Sequence, residues 1–190
     1  LDNCAFIGPC ALFLLLGQDD GHKDIIWRFI MKVKFVSLKT KFMSQAAIIG
    51  AIYAVLTIAF APISYGQVQV RIAEALTVLP YFTPAAIPGL FIGCIAANLY
   101  GGQGLIDIIF GSLATLTAAS LSYKMPWRVL VPLPPIVING IVIGCILNYL
   151  FQLPLLVTMA WVAFGELISC YLLGYPLMLV LEKYKKRIFN

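Results

Sequence analysis

From Met43 onward, long apolar runs alternate with short breaks at proline, glycine or charge, a pattern that predicts six helical segments. They lie at about 43 to 61, 71 to 83, 84 to 100, 103 to 123, 128 to 150 and 153 to 182. The second is too short for a simple span, because an α-helix needs about 20 apolar residues to cross the hydrocarbon. Pro80, Pro84 and Pro88 predict a tight bend where segments two and three meet, with a single broken re-entrant unit as the alternative. The last segment is long enough to tilt or to project from the bilayer. The fold class expected is an all-α integral membrane protein, a six-transmembrane-helix bundle over 43–187. Residues 1–42 form a leader or N-terminal extension outside it. In that leader the short apolar run from Ala11 to Leu16 is followed by the acidic GQDDGHKD, which suits neither a span nor a signal peptide. The expectation is that translation begins at Met31 or Met43 and the leader is upstream sequence or a disordered extension. The alternative is an amphipathic helix lying on the membrane.

Composition supports the membrane reading. The chain is 62% hydrophobic and 11% charged, against roughly 45–50% apolar and about 25% charged for a soluble domain. Its net charge of +5 comes from clusters at segment ends: Lys32, Lys34, Lys39 and Lys41, then Lys124 and Arg128, then Lys183, Lys185, Lys186 and Arg187. With six crossings all of these fall on one side, so both termini are expected in the cytoplasm. The basic balance speaks for an anionic leaflet and not for nucleic acid. Five scattered cysteines without CxxC spacing argue against a disulfide framework or zinc site. The single histidine, His22, lies in the leader, which leaves the membrane part without an imidazole for catalysis. No cofactor is expected and no enzyme activity.

Against this background the polar residues inside the apolar part stand out, since an ionised side chain near a bilayer centre costs on the order of 3 kcal/mol. With about 1.5 Å rise per helical residue, Arg71, Glu74, Asn98 and Asp107 fall near the outer face. Asn139 lies 11 residues past Arg128 and Glu166 lies 12 past Pro154, so both reach mid-membrane on antiparallel helices. The two layers would line a cavity opening outward, with Tyr65, Gln67 and Gln69 as lid residues above it. Carboxylates, amides and aromatic rings in one place suit a flat, hydrogen-bonding heterocycle, and three acids suit a cationic substituent. The alternative is purely structural: Arg71 pairs with Glu74 at i,i+3 spacing, while Asn139 and Glu166 tie two helices together.

Segment one contains AAIIGAIYAVL, in which Ala47 and Ala51, or Ala46 and Gly50, place small residues four apart on one face. Such a face admits close helix approach, either inside the bundle or against a separate subunit.

RIAEALTVLPYFTPAAIPGLFIGCIAANLYGG, from Arg71 to Gly102, and DIIFGSLATLTAA, from Asp107 to Ala119, resemble the queuosine-precursor transporter (QueT) family, substrate-binding S components of energy-coupling factor (ECF) transporters. The resemblance covers about Met43 to Arg187. It implies a six-helix plasma-membrane protein that captures 7-aminomethyl-7-deazaguanine or its nitrile relative from outside. It also implies a transmembrane coupling subunit and two ATPases as partners, docked on the alanine-rich face of segment one. The chain has no GxxxxGK[ST] loop of its own, so ATP hydrolysis belongs to those partners. The competing expectation is a stand-alone ion-coupled carrier with Glu74, Asp107 or Glu166 as proton site. A membrane-embedded structural protein would leave the acids idle.

Overall fold

A computed structural model of the chain describes residues 20–65, 70–102 and 104–188, with no strand among the described residues. The chain divides into two compact units, Leu1–Lys41 and Phe42–Asn190. The described part of the first is helical from Asp20, and the earlier leader, together with Gln67 and Gln69, lies outside the described residues.

Each apolar segment of the sequence becomes a helical one. Segment one lies in α1 (Asp20–Ala59), which is followed by the single turn α2 (Ala61–Ser64). Segment two is a 3-10 helix, Ile72–Tyr81, and segment three is α3 (Ala86–Gly101). Segment four opens with a π-helical turn, Asp107–Gly111, that runs into α4 (Ser112–Lys124). A short 3-10 turn at Arg128–Leu130 leads into α5 (Leu133–Phe151). The last segment is one helical course of α6 (Leu155–Leu167), a π-helical stretch Ile168–Gly174 and α7 (Tyr175–Ile188). Three stretches are long and apolar enough to cross a membrane: Leu38–Ala59, Arg128–Phe151 and Leu155–Lys185. Ile72–Tyr81 and Ala86–Gly101 are shorter apolar helices.

The burial pattern is inverted relative to a water-soluble protein. Ile48, Val55, Ile92, Phe110, Ile141, Trp161 and Leu172 are exposed, while Arg71, Glu74, Asn98, Asp107, Asn139 and Glu166 are buried. This is a membrane protein, with apolar side chains facing hydrocarbon and polar ones facing each other.

The short second segment is extended by its winding. Hydrogen bonds such as Glu74 N to Arg71 O (2.9 Å) and Phe82 N to Leu79 O (2.9 Å) close tight i→i−3 turns at its two ends. Pro80 has no N–H to give an α-type bond, and the Thr77 hydroxyl donates to Glu74 O at 2.6 Å. Ten residues at about 2.0 Å each reach about 20 Å, against about 15 Å as α-helix. At the bend that follows, the Thr83 hydroxyl accepts from Ala85 N at 3.4 Å and donates to Gln45 Oε1 at 3.2 Å, fixing the turn into α3. At the opposite end of α3, Gly102 takes φ of 63°, the left-handed conformation that closes a helix at low cost.

Glycine governs the contact between α1 and α3. A Cβ on Gly89 would lie 2.6 Å from Ala46 O, and one on Gly93 would lie 2.6 Å from Gly50 O. The two backbones therefore touch, and Ala46 and Gly50 take part in packing inside the bundle. Ala47 and Ala51 stay on the opposite, exposed side with Ile48, Ile52 and Val55. Only half of the small-residue pattern in segment one thus faces outward. A Gly93→Ala change must push backbone against backbone, so it should destabilise the bundle by about 1–3 kcal/mol. A lowered melting temperature of the purified protein in detergent is the expected result; an unchanged one would mean that α1 and α3 separate without loss.

Candidate functional site

Arg71 precedes the 3-10 helix in an extended conformation, φ −88° and ψ 100°. Its side chain therefore does not follow helical i,i+3 geometry, and the structural alternative of an Arg71 to Glu74 pair gives way to a different partner. Arg71 Nη2 lies 3.7 Å from Asp107 Oδ2, joining the start of segment two to the start of segment four. That separation is an ion pair by charge and too long for a hydrogen bond. The guanidinium also sits 5.7 Å from the centre of the Tyr65 ring, within cation–π range. Tyr65 in turn donates to Ala97 O at 2.5 Å and packs against Gly101, where a Cβ would come 2.5 Å from a ring carbon.

Asn98 joins this group from α3, its amide donating to the backbone oxygen of Asp107 at 3.1 Å. A Cβ on Gly111 would approach Asn98 Nδ2 at 3.1 Å and Asp107 Oδ1 at 3.2 Å, so the bare glycine leaves the two side chains their room. Behind them the Cys94 thiol receives weak contacts from Asn98 Nδ2 at 3.6 Å and Thr115 Oγ1 at 3.4 Å.

Glu74 is fully buried and accepts a hydrogen bond from the Tyr53 hydroxyl on Oε1. Glu166 accepts from Asn139 Nδ2 on Oε1 at 3.0 Å and from the Cys170 thiol on Oε2 at 3.6 Å. The Cys170 sulfur is also 3.6 Å from Glu74 O and 3.7 Å from Thr77 Oγ1. The outer and deeper polar layers read from the sequence are thus joined through Cys170 at the contact between the narrow 3-10 helix and the wide π-helical stretch. Ile72–Tyr81 and Ile168–Gly174 pack along one another, and a Cβ on Gly174 would meet Ala75 O at 3.1 Å.

The pairing is incomplete. Among the described residues, Arg71 Nε and Nη2, Glu74 Oε2, both carboxylate oxygens of Asp107, Asn98 Oδ1, Asn139 Oδ1 and Ser112 Oγ are buried without a hydrogen-bond partner. A buried polar atom without a hydrogen-bond partner costs about 1–3 kcal/mol, and of these only Arg71 Nη2 and Asp107 Oδ2 offset part of that as an ion pair. No group of three or more His, Cys, Asp or Glu is placed to hold a metal ion among the described residues. A shallow hollow lined by Leu156, Val157, Ala160, Trp161 and Phe164 lies elsewhere, on the outward side of α6, and offers only apolar side chains.

Arg71, Glu74, Asn98, Asp107, Asn139, Glu166 and Tyr65 are therefore all buried or half-buried participants in one interior network. Sequence reasoning missed Tyr53, Cys94, Cys170, Thr77 and Thr115. Tyr53 had a readable signal: it follows Ala46 and Gly50 at helical spacing, and a tyrosine hydroxyl on an inward stripe needs a partner. The cysteines gave none, because a thiol in an apolar run looks like any small apolar residue.

Comparison with known proteins bears on this site. Residues 43–183 match the family described as QueT transporter. A curated relative, the queuosine precursor transporter QueT of Lactococcus lactis subsp. cremoris (strain MG1363), is 35% identical over 85 residues, covering 44% of this chain and 50% of that one. The match spans half the length of that relative. No solved structure matches. Since the family match takes in well over half of the sequence and every residue of the interior network, the chain belongs to the QueT transporter family.

Proposed function

We propose that this chain is the substrate-binding S component of an ECF-type ABC importer, taking up a queuosine precursor, 7-aminomethyl-7-deazaguanine or a close relative. The observation that carries the reading is the set of unpaired buried atoms on Arg71, Glu74, Asn98, Asp107 and Asn139. A deazaguanine presents ring N–H and amino donors beside a carbonyl acceptor, which matches carboxylate and amide oxygens set beside a guanidinium. Among the described residues three carboxylates, Glu74, Asp107 and Glu166, are buried against one basic side chain, Arg71. That imbalance favours a ligand bringing a positive charge, as an aminomethyl group does at neutral pH.

In this reading Asn139 and Glu166 read the guanine-like edge, while Glu74 and Asp107 lie nearer the outer rim and meet the aminomethyl cation, with Tyr65 near the entrance. Residues 43–187 make six crossings of the plasma membrane with both termini cytoplasmic, and 1–42 stand outside the ligand-binding bundle. The ion pair of Arg128 with Glu182 at 2.7 Å and the approach of Lys185 to the Phe82 ring at 6.0 Å support a basic end opposite the Arg71 cluster. A coupling subunit and two ATPases drive release inside, and the exposed Ala47 and Ala51 face of α1 is where the coupling subunit docks.

Two outcomes follow. Calorimetric titration of the purified chain should detect binding of 7-aminomethyl-7-deazaguanine, and Asp107→Asn should weaken the aminomethyl base more than its neutral nitrile analogue, by about 1.5–3 kcal/mol. Equal losses for both ligands would remove Asp107 from the cation's environment. Ala47→Trp or Ala51→Trp should leave that titration unchanged while reducing co-purification with the coupling subunit and ATPases, because bulk there blocks close helix approach. Uptake by the isolated chain that collapses with the proton gradient would favour an ion-coupled carrier instead.

A further inference from the structure

We propose that Tyr53 is a positioning residue of the substrate site, holding one oxygen of Glu74 so that the other is presented to ligand. The inference rests on the reading that Glu74 contacts the substrate. Tyr53 and Glu74 are both 0% exposed, and they come from different elements, α1 and the 3-10 helix. The tyrosine hydroxyl donates to Glu74 Oε1, while Oε2 is buried with no partner among the described residues.

Everything around the pair restricts Glu74 further. Its backbone oxygen accepts from the Thr77 hydroxyl at 2.6 Å and faces the Cys170 thiol at 3.6 Å, so the main chain is held from one side and the carboxylate from the other. Tyr53 is itself fixed by the glycine contact of its helix: a Cβ on Gly93 would lie 3.0 Å from the Tyr53 Cβ, which seats the ring against α3. A free carboxylate rotates about its terminal torsion and offers its oxygens over a broad range. With Oε1 engaged and the backbone pinned, that rotation is lost and Oε2 points one way. An acceptor held in its bound orientation avoids the ordering cost that a mobile one meets on binding.

The test is a double-mutant cycle read by calorimetry with 7-aminomethyl-7-deazaguanine on the full chain. Glu74→Gln should raise Kd about tenfold or more, and Tyr53→Phe, which keeps the ring, should raise it about tenfold. In a Glu74→Ala background, which removes the acceptor altogether, Tyr53→Phe should change Kd by less than about twofold, because its target is gone. p-Aminophenylalanine at position 53 restores a ring-borne N–H donor and should bring Kd back to within about threefold of wild type; it also serves if Tyr53→Phe fails to fold. If Tyr53→Phe binds like wild type while Glu74→Gln does not, the positioning role is overturned and the substrate reading stands. Equal losses from Tyr53→Phe in both backgrounds, or no recovery with p-aminophenylalanine, would reduce Tyr53 to packing. A wild-type Kd for Glu74→Gln would overturn the substrate contact and the positioning role together.

Discussion

Charge held away from both water and lipid is the constraint on which this bundle depends. Arg71, Glu74, Asp107 and Glu166 are each at most 3% exposed, and hydrocarbon offers them nothing in return. Each must therefore find its partners in the interior, and those partners come from every segment of the bundle: Tyr53 from the first, Arg71 from the second, Asn98 from the third, Asp107 from the fourth, Asn139 from the fifth and Cys170 from the sixth. The helices surround this network, with many of their large apolar side chains turned outward and the rest packed in apolar clusters beside it. The polar interior thus decides which faces of the helices look inward, a task that apolar side chains alone perform poorly when the solvent outside is equally apolar.

The packing between helices follows from the same requirement. Short hydrogen-bonding side chains can meet only if backbones come close, and the close contacts are made by glycine: Gly50, Gly89 and Gly93 between α1 and α3, Gly140 and Gly144 between α5 and α6. A Cβ on Gly144 would lie 2.6 Å from Met159 Cγ, and one on Gly140 would lie 3.1 Å from Ala163 Cβ. The second pair of helices brings Asn139 to Glu166, while the first seats Tyr53, which reaches Glu74 on the 3-10 helix. Glycine placement and polar pairing are two aspects of one arrangement.

The segments were legible in the sequence because hydrophobic runs and proline breaks report directly on what lipid and helix geometry allow. The polar residues of the site were legible for the complementary reason, that a charge in an apolar run has no cheap explanation. Their pairing was not. Arg71 and Glu74 stand three apart, which reads as a helical pair, yet Arg71 is extended and reaches Asp107 across the bundle. Local winding was equally hidden: nothing in IAEALTVLPY announces a 3-10 helix apart from Pro80, because tertiary contact with Gly174 and Cys170 sets it. The inward turn of Ala46 and Gly50 was hidden as well, since a small-residue stripe reads alike whether it meets its own bundle or another subunit.

The π-helical stretch at Ile168–Gly174 also sets the phase of everything that follows it. A π turn takes in one residue more than an α turn. Winding the same residues as α-helix, with none removed, would rotate the remainder by about 100°, the angle between successive helical residues. Met178 would then leave its cluster with Val78 and Val131, and Glu182 would swing away from Arg128, while Glu166 kept its place. The bulge therefore works as a phase adjuster between two halves of one helix, letting the upper half serve the polar network and the lower half the apolar cluster beneath it. Deletions are therefore unequal in this protein: a residue removed from an α-helical turn would turn everything beyond it by about 100°, whereas one removed here can be taken up by the bulge.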